Sequence, residues 1–246
     1  MRQWIALSLV LLGLQGAFWY HTHDIAPDMS IVPDVPGVET VEALSLGDDQ
    51  FFFRILALQL QNAGDTFGRF TALRDYDFNK LYHWFRLLDV LDDRSNYIPS
   101  MATYYFSQTQ NKPDVKYVLD YLIEHAAHRP EQKWWWLVQG IYLANHKLED
   151  PDLALQMAHY LNGDYDIPLW AKQMPAFIHE QRGELDAALA IIEAMLADED
   201  NLTQQELNFM RHFVDERLQK MEQVSKAFDK AQQAVKDKEQ HTKEPK

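Results

Sequence analysis

The first pattern along the chain is an unbroken apolar run, Trp4 to Tyr20, 17 residues without a formal charge. As a helix rising 1.5 Å per residue it reaches the lower limit for spanning a bilayer core of about 30 Å. Trp4 marks one end, and Phe18, Trp19 and Tyr20 mark the other, as an aromatic belt requires. Residues 24–48 then place Pro27, Pro33 and Pro36 among Asp, Gly and Ser with no sustained helical stripe, which predicts an extended linker. From Phe51 onward apolar residues recur at helical spacing with short breaks, and strict two-residue alternation almost never persists. The body is therefore expected to be all-α.

The spacing predicts helices near 50–62, 66–74, 77–91, 98–109, 114–127, 131–146, 151–161, 168–182, 185–197 and 202–238. Breaks fall at Asn62-Ala63-Gly64, Pro99, Lys112-Pro113, Pro130, Pro151 and Arg182-Gly183. Asp114, Asp152 and Asp186 stand near the start of second helices, where a carboxylate complements unsatisfied N–H groups and the positive dipole end. The mixed segment Asn62–Phe78 reads either as a connecting turn, with Asp65 or Thr66 as an N-cap, or as a partner-contacting edge. Leu202 to Lys238 carries an apolar face of Leu207, Met210, Phe213, Val214, Leu218 and Met221, expected to cap the body. Beyond it charge increases, as in a solvated helix or a short coiled coil, and the end is expected to be disordered. The boundaries read as an anchor at 1–23, a linker at 24–48, a helical repeat region at 49–201, a capping helix at 202–222 and a charged helix and tail at 223–246.

A 34-residue echo lies inside the body: Trp136-Leu137-Val138-Gln139 recurs as Trp170-Ala171-Lys172-Gln173. The turns repeat with it, at Asp114, Asp152 and Asp186, spaced by 38 and then 34 residues. Gly183-Glu184-Leu185-Asp186-Ala187-Ala188-Leu189, followed by Ile192 and Met195, resembles the second-helix signature of tetratricopeptide repeats, and Asp152-Leu153-Ala154-Leu155 looks like another copy. The small position of the first helix is Gly140 and Ala176. The resemblance covers 98–197, and a Sel1-type or irregular helical-hairpin array fits the same residues. It implies stacked antiparallel hairpins in a right-handed superhelix, each burying its face against the next. It also implies a concave groove lined by first helices, on or near which Tyr105, Trp136, Gln139, Leu143, Trp170, Gln173 and Phe177 would lie. Rings with amides suit a bound peptide segment.

Composition narrows the function classes. A chain of 246 residues with 47 % hydrophobic and 13 % aromatic content has the material for a core, so disorder throughout is excluded. The net charge of −14 argues against nucleic acid as a partner, because phosphate binding needs clustered Lys and Arg. The absence of Cys excludes disulfides, thiolate zinc ligation and thiol catalysis.

Arg2 precedes the apolar run and Asp24 and Asp28 follow it, so the positive-inside bias predicts a body outside the cytoplasm. A cleaved signal is the competing reading, although Leu14-Gln15-Gly16 before Phe18 and Trp19 makes a poor cleavage site. His125 and His128 have a spacing that two metal ligands could use, but no H-E-x-x-H accompanies them, so they read as polar residues at a helix end. No phosphate loop or nucleophile elbow is present, and no pair among 37 acidic residues nominates itself for hydrolysis. Three consecutive indoles at 134–136 cannot share one face of a helix, so at least one is expected at the surface.

The resulting expectation is a non-enzymatic scaffold or adaptor without cofactor or metal, anchored once in a bacterial inner membrane with its repeat domain in the periplasm. Its partners would be other proteins of an envelope or membrane complex. The alternatives are an accessory subunit held mainly by its anchor, and a helical-superhelix enzyme or substrate-binding domain.

Overall fold

The computed structural model describes residues 2–24, 30–66, 69–197, 203–216 and 219. Helix α1 is Arg2–Thr22, and Gln3–Thr22 is long and apolar enough to cross a membrane, with none of its surface buried against the rest of the chain. The fold continues with α2 (Val38–Ser45), α3 (Asp49–Gln61), a two-residue antiparallel ladder of β1 (Asp65–Thr66) with β2 (Arg69–Phe70), α4 (Phe78–Asp92), α5 (Tyr97–Tyr104), α6 (Val115–Ala126), α7 (Pro130–Leu143) and α8 (Pro151–His159). Short α9 (Leu169–Lys172), α10 (Met174–Gln181), α11 (Leu185–Leu196) and α12 (204–216) complete it. Beyond that ladder the described residues form helices and turns, so the fold is all-α.

Helix starts follow local chemistry. The carboxylates of Asp48, Asp77 and Asp150 accept from the backbone N–H of Phe51, Lys80 and Leu153 at 2.9, 3.0 and 2.9 Å, each satisfying a donor that the first turn leaves open. Pro130 and Pro151 begin α7 and α8, where a missing N–H costs nothing. Helices then pack as neighbours in the order α3 on α4, α5 on α6, α7 on α8 and α10 on α11, with α4, α6 and α8 bridging to the following pair. Gly140 shows why a small residue stands where α7 crosses its neighbours: a Cβ there would lie 2.2 Å from Met157 Cε of α8 and 3.6 Å from Leu122 Cδ1 of α6. Ala154, Ala176 and Ala188 are likewise fully buried.

One continuous core runs from Val32 and Val41 through Phe85, Phe106, Tyr121 and Leu137 to Ala171 and Ile178. A smaller one joins Ala176, Ala188 and Ile192 to Met210 and Phe213 of α12, with Phe177 edge-on to Phe213 at 5.7 Å. Helix α12 thus packs Met210 and Phe213 against α10 and α11, while Leu218 and Met221 of its expected apolar face lie outside the described residues. The expected charged helix and tail at 223–246 fall outside the described residues.

Four departures from the sequence expectation have physical reasons. The helix expected over 66–74 is instead the β1–β2 ladder and a single tight turn at Leu73–Asp75, and Asp77, not Asp65 or Thr66, caps the next helix. Gly64 at φ +81° leads into that ladder, with Tyr76 packed over its α-carbon. The helix expected over 98–109 ends at Tyr104 and tightens into a turn at Phe106–Gln108. The helix expected over 168–182 breaks at Gln173, because Pro175 lacks an N–H and its ring crowds the preceding turn. The stretch 24–48, expected as an extended linker, contains α2 and contributes Val32 and Val41, each 1 % exposed, to the core. Trp84 Nε1–H donates to Pro33 O at 2.9 Å, so the segment is fastened to α4.

Candidate functional site

The start of α7 at Pro130 fixes the register of the three indoles. Trp136 points inward at 5 % exposure, and its Nε1–H donates to Asn96 Oδ1 at 3.1 Å. Trp135 points outward at 40 % exposure, and Trp134 is half-buried toward α9. Trp135 Nε1–H donates to the Tyr104 hydroxyl of α5 at 3.2 Å. Trp134 and Trp135 lie 5.4 and 6.4 Å, centroid to centroid, from Trp170 of α9, both edge-to-face. They meet each other at 5.7 Å and 90°. Edge-to-face rings hold one another through complementary quadrupoles, so the cluster is preorganised. Tyr104, Trp134, Trp135 and Trp170 therefore form one aromatic surface across three successive packing units, with Trp136 beneath it.

The structure scatters the residues expected in a groove. Trp170 is exposed at 42 % and belongs to the aromatic surface. Tyr105 is exposed too, but its ring packs on Phe106 at 5.0 Å and its hydroxyl is engaged with Tyr76. Gln139 is half-buried. Trp136, Leu143 and Gln173 are buried, and Phe177 packs on α12. The 34-residue echo thus does not carry equivalent exposure, since Trp136 is interior and Trp170 is not. Pro175 breaks the second copy just after Gln173, which removes the helical frame that would make them equivalent. Gln173 Oε1 has no hydrogen-bond partner among the described residues. The sequence pattern alone does not single out Trp135 or Tyr104, and the indole triplet is the signal that points nearest to them.

A second cluster lies between α4, α6 and α7. Asp89 Oδ2 accepts from His125 Nδ1 at 2.6 Å and Asp89 Oδ1 accepts from the Tyr121 hydroxyl at 3.0 Å. The short contact to a carboxylate places the Nδ1 proton toward Asp89. Lys133 Nζ stands 3.5 Å from the same nitrogen and 3.9 Å from Asp93 Oδ2, and Arg129 pairs with Asp93. Burial lowers the Lys133 ammonium from its usual range, Asp89 opposes that shift, and Arg129 adds to it. Burial, with Asp89 beside it, pushes the Tyr121 phenol well above its ordinary value. Tyr82 donates to Glu124 next to this seam, and Arg86 Nε bonds Glu124 at 2.8 Å. His125 is thus engaged by a carboxylate in the interior, and His128 stands exposed at the helix end. Among the described residues no group of three or more His, Asp or Glu is placed to hold a metal ion.

A surface cavity of about 350 Å³ between α3 and the start of α5 is lined by Phe53, Arg54, Ala57, Leu58, Ser95 and Tyr97, and no carboxylate is among them. No known protein family, curated protein or solved structure matches the chain.

Proposed function

We infer that the protein is a membrane-anchored scaffold whose tetratricopeptide-like array of helical hairpins faces the periplasm and binds partner proteins of a cell-envelope complex. The observation that carries this reading is the aromatic surface of Tyr104, Trp134, Trp135 and Trp170, because rigid indoles exposed together on a preorganised face are what protein-contact hot spots are made of. The small residues at the hairpin contacts and the pairwise packing order support the tetratricopeptide-like assignment. Arg2 at the start of α1 and Asp24 after it support the outward orientation.

The test is a crosslinking pull-down of the full chain from its native membrane with Trp135→Ala and Trp170→Ala combined. At about 2 kcal/mol for each hot-spot aromatic, capture should weaken by roughly three orders of magnitude with helicity unchanged. Undiminished capture would move the contact to α1 and favour an accessory subunit held by its anchor.

A further inference from the structure

Helix α3 carries two apolar faces. Phe53, Ala57 and Leu60 are buried in the core, whereas Phe51, Ile55 and Leu58, at i, i+4 and i+7, form a second stripe in solvent. Leu44 of α2 and Leu46 beyond it extend the exposed set, and Leu46 is 92 % exposed with a positive φ of 52°. A leucine held in the left-handed region at an uncovered turn gains nothing from the fold around it. These side chains therefore require a cover from elsewhere.

Chain length says what that cover is. Val32 is buried, Pro33 is bonded to Trp84, and α2 follows at once. Val32 lies only eight residues beyond Asp24, which stands just past α1. A chain of that length spans at most about 29 Å. With α1 across a bilayer, as the anchored-scaffold reading has it and as this step requires, α2 and α3 are held beside the membrane surface, while α11 and α12 lie at the far end of the packing order. We propose that the α3 stripe of Phe51, Ile55 and Leu58, together with Leu44 and Leu46 exposed just before it in the chain, docks on the lipid surface and dips into its interfacial layer.

The contact is apolar in character. Glu39 and Glu42 are exposed on α2, Asp48 caps α3 and Asp49 accepts from Ser45, and against these four carboxylates Arg54 of α3 is one exposed cation, so this end carries net negative charge. Anionic lipid should weaken the docking. Tethering supplies the high local concentration that a face of this size needs.

The chain contains no Cys, so single-cysteine variants can carry an environment-sensitive fluorophore without a background. Leu46→Cys, Phe51→Cys and Leu58→Cys would be compared in the full-length protein in phosphatidylcholine vesicles, with Leu9→Cys inside α1 and Ala190→Cys on the exposed side of α11 as references. Labels at 46, 51 and 58 should be severalfold less quenched by aqueous iodide than at 190, and should be quenched by shallow spin-labelled lipid, as for residues about 5–10 Å into the interface. Adding phosphatidylglycerol should shift all three toward water. If they match the label at 190 while the label at 9 is in lipid, the proposal falls and the anchor stands. If they resist both iodide and spin-labelled lipid, a second copy or another protein covers the face and lipid docking is wrong. A label at 9 that behaves as aqueous removes the anchor and this proposal together.

Discussion

At the scale of single residues, two glycines with the same backbone sign separate conformational strain from steric exclusion. A Cβ added at Gly47 (φ +87°) would meet no atom within 4 Å, whereas at Gly64 (φ +81°) it would stand 1.9 Å from the Tyr76 hydroxyl. Gly47→Ala should therefore cost only the left-handed penalty of about 1 kcal/mol. Gly64→Ala adds the displacement of a ring and should cost about 3 kcal/mol, both read from urea unfolding. Equal losses would mean that Tyr76 moves freely. The same tyrosine gives a pH signature. Burial, followed by the neighbouring Tyr105, raises the Tyr76 phenol from 10.0 to about 12, and its hydroxyl donates to Ala63 O. The folded state then holds the proton more tightly than the unfolded chain. Its stabilising contribution is complete below pH 10 and is lost as pH rises toward 12. Stability measured across that window should fall less steeply in Tyr76→Phe than in the parent.

At the scale of elements, a polar network fastens α4, α6 and α7, and it marks the reach of sequence pattern. Asp89 accepts from both His125 and Tyr121, and Lys133 is buried beside them. Asp89→Ala leaves His125 and Tyr121 without their acceptor and removes a carboxylate that offsets the burial of the Lys133 ammonium. The expected loss is about 3 kcal/mol by urea unfolding, with Asn at the same position milder because one acceptor remains. A loss below the effect of an ordinary surface substitution would show the network to be incidental. Nothing in the pattern pairs Asp89 with His125, because they are 36 residues apart and neither breaks the helical period. Helices α3, α4, α6, α7, α8 and α11 are legible to within a few residues because their stripes are long and their ends are punctuated by Asp and Pro. Helix α2, of eight residues among prolines, and the two-residue ladder at 65–70 are too short for periodicity to register. The exposed site is half legible. The indole triplet requires a surface Trp, but which of the three it is depends on the register set by Pro130 and on the ring of Trp170, a contact made only by folding.

At the scale of the whole molecule, the decisive correction concerns where the folded body begins. An extended linker to residue 48 would allow the body to be separated from its anchor anywhere along it. The core instead includes Val32, and Pro33 O receives the Trp84 indole, so residues from 30 onward are part of the fold. A chain beginning at Gly37 loses a buried valine worth about 2 kcal/mol and uncovers Trp84, which forfeits a hydrogen bond of about 1 kcal/mol. The exposed Asp34–Lys80 pair adds little to this, since surface ion pairs contribute under about 1 kcal/mol. A chain beginning at Ser30 retains all of these contacts. The two should differ by about 3 kcal/mol in urea unfolding, with the longer one more stable and both helical. Equal midpoints would mean that 30–36 merely lies along α4, and the tether between membrane and body would then be longer by the same residues. On the anchored-scaffold reading proposed above, the distance between bilayer and helical body, and with it the set of partners the aromatic surface could reach, is tied to one buried valine and one indole hydrogen bond.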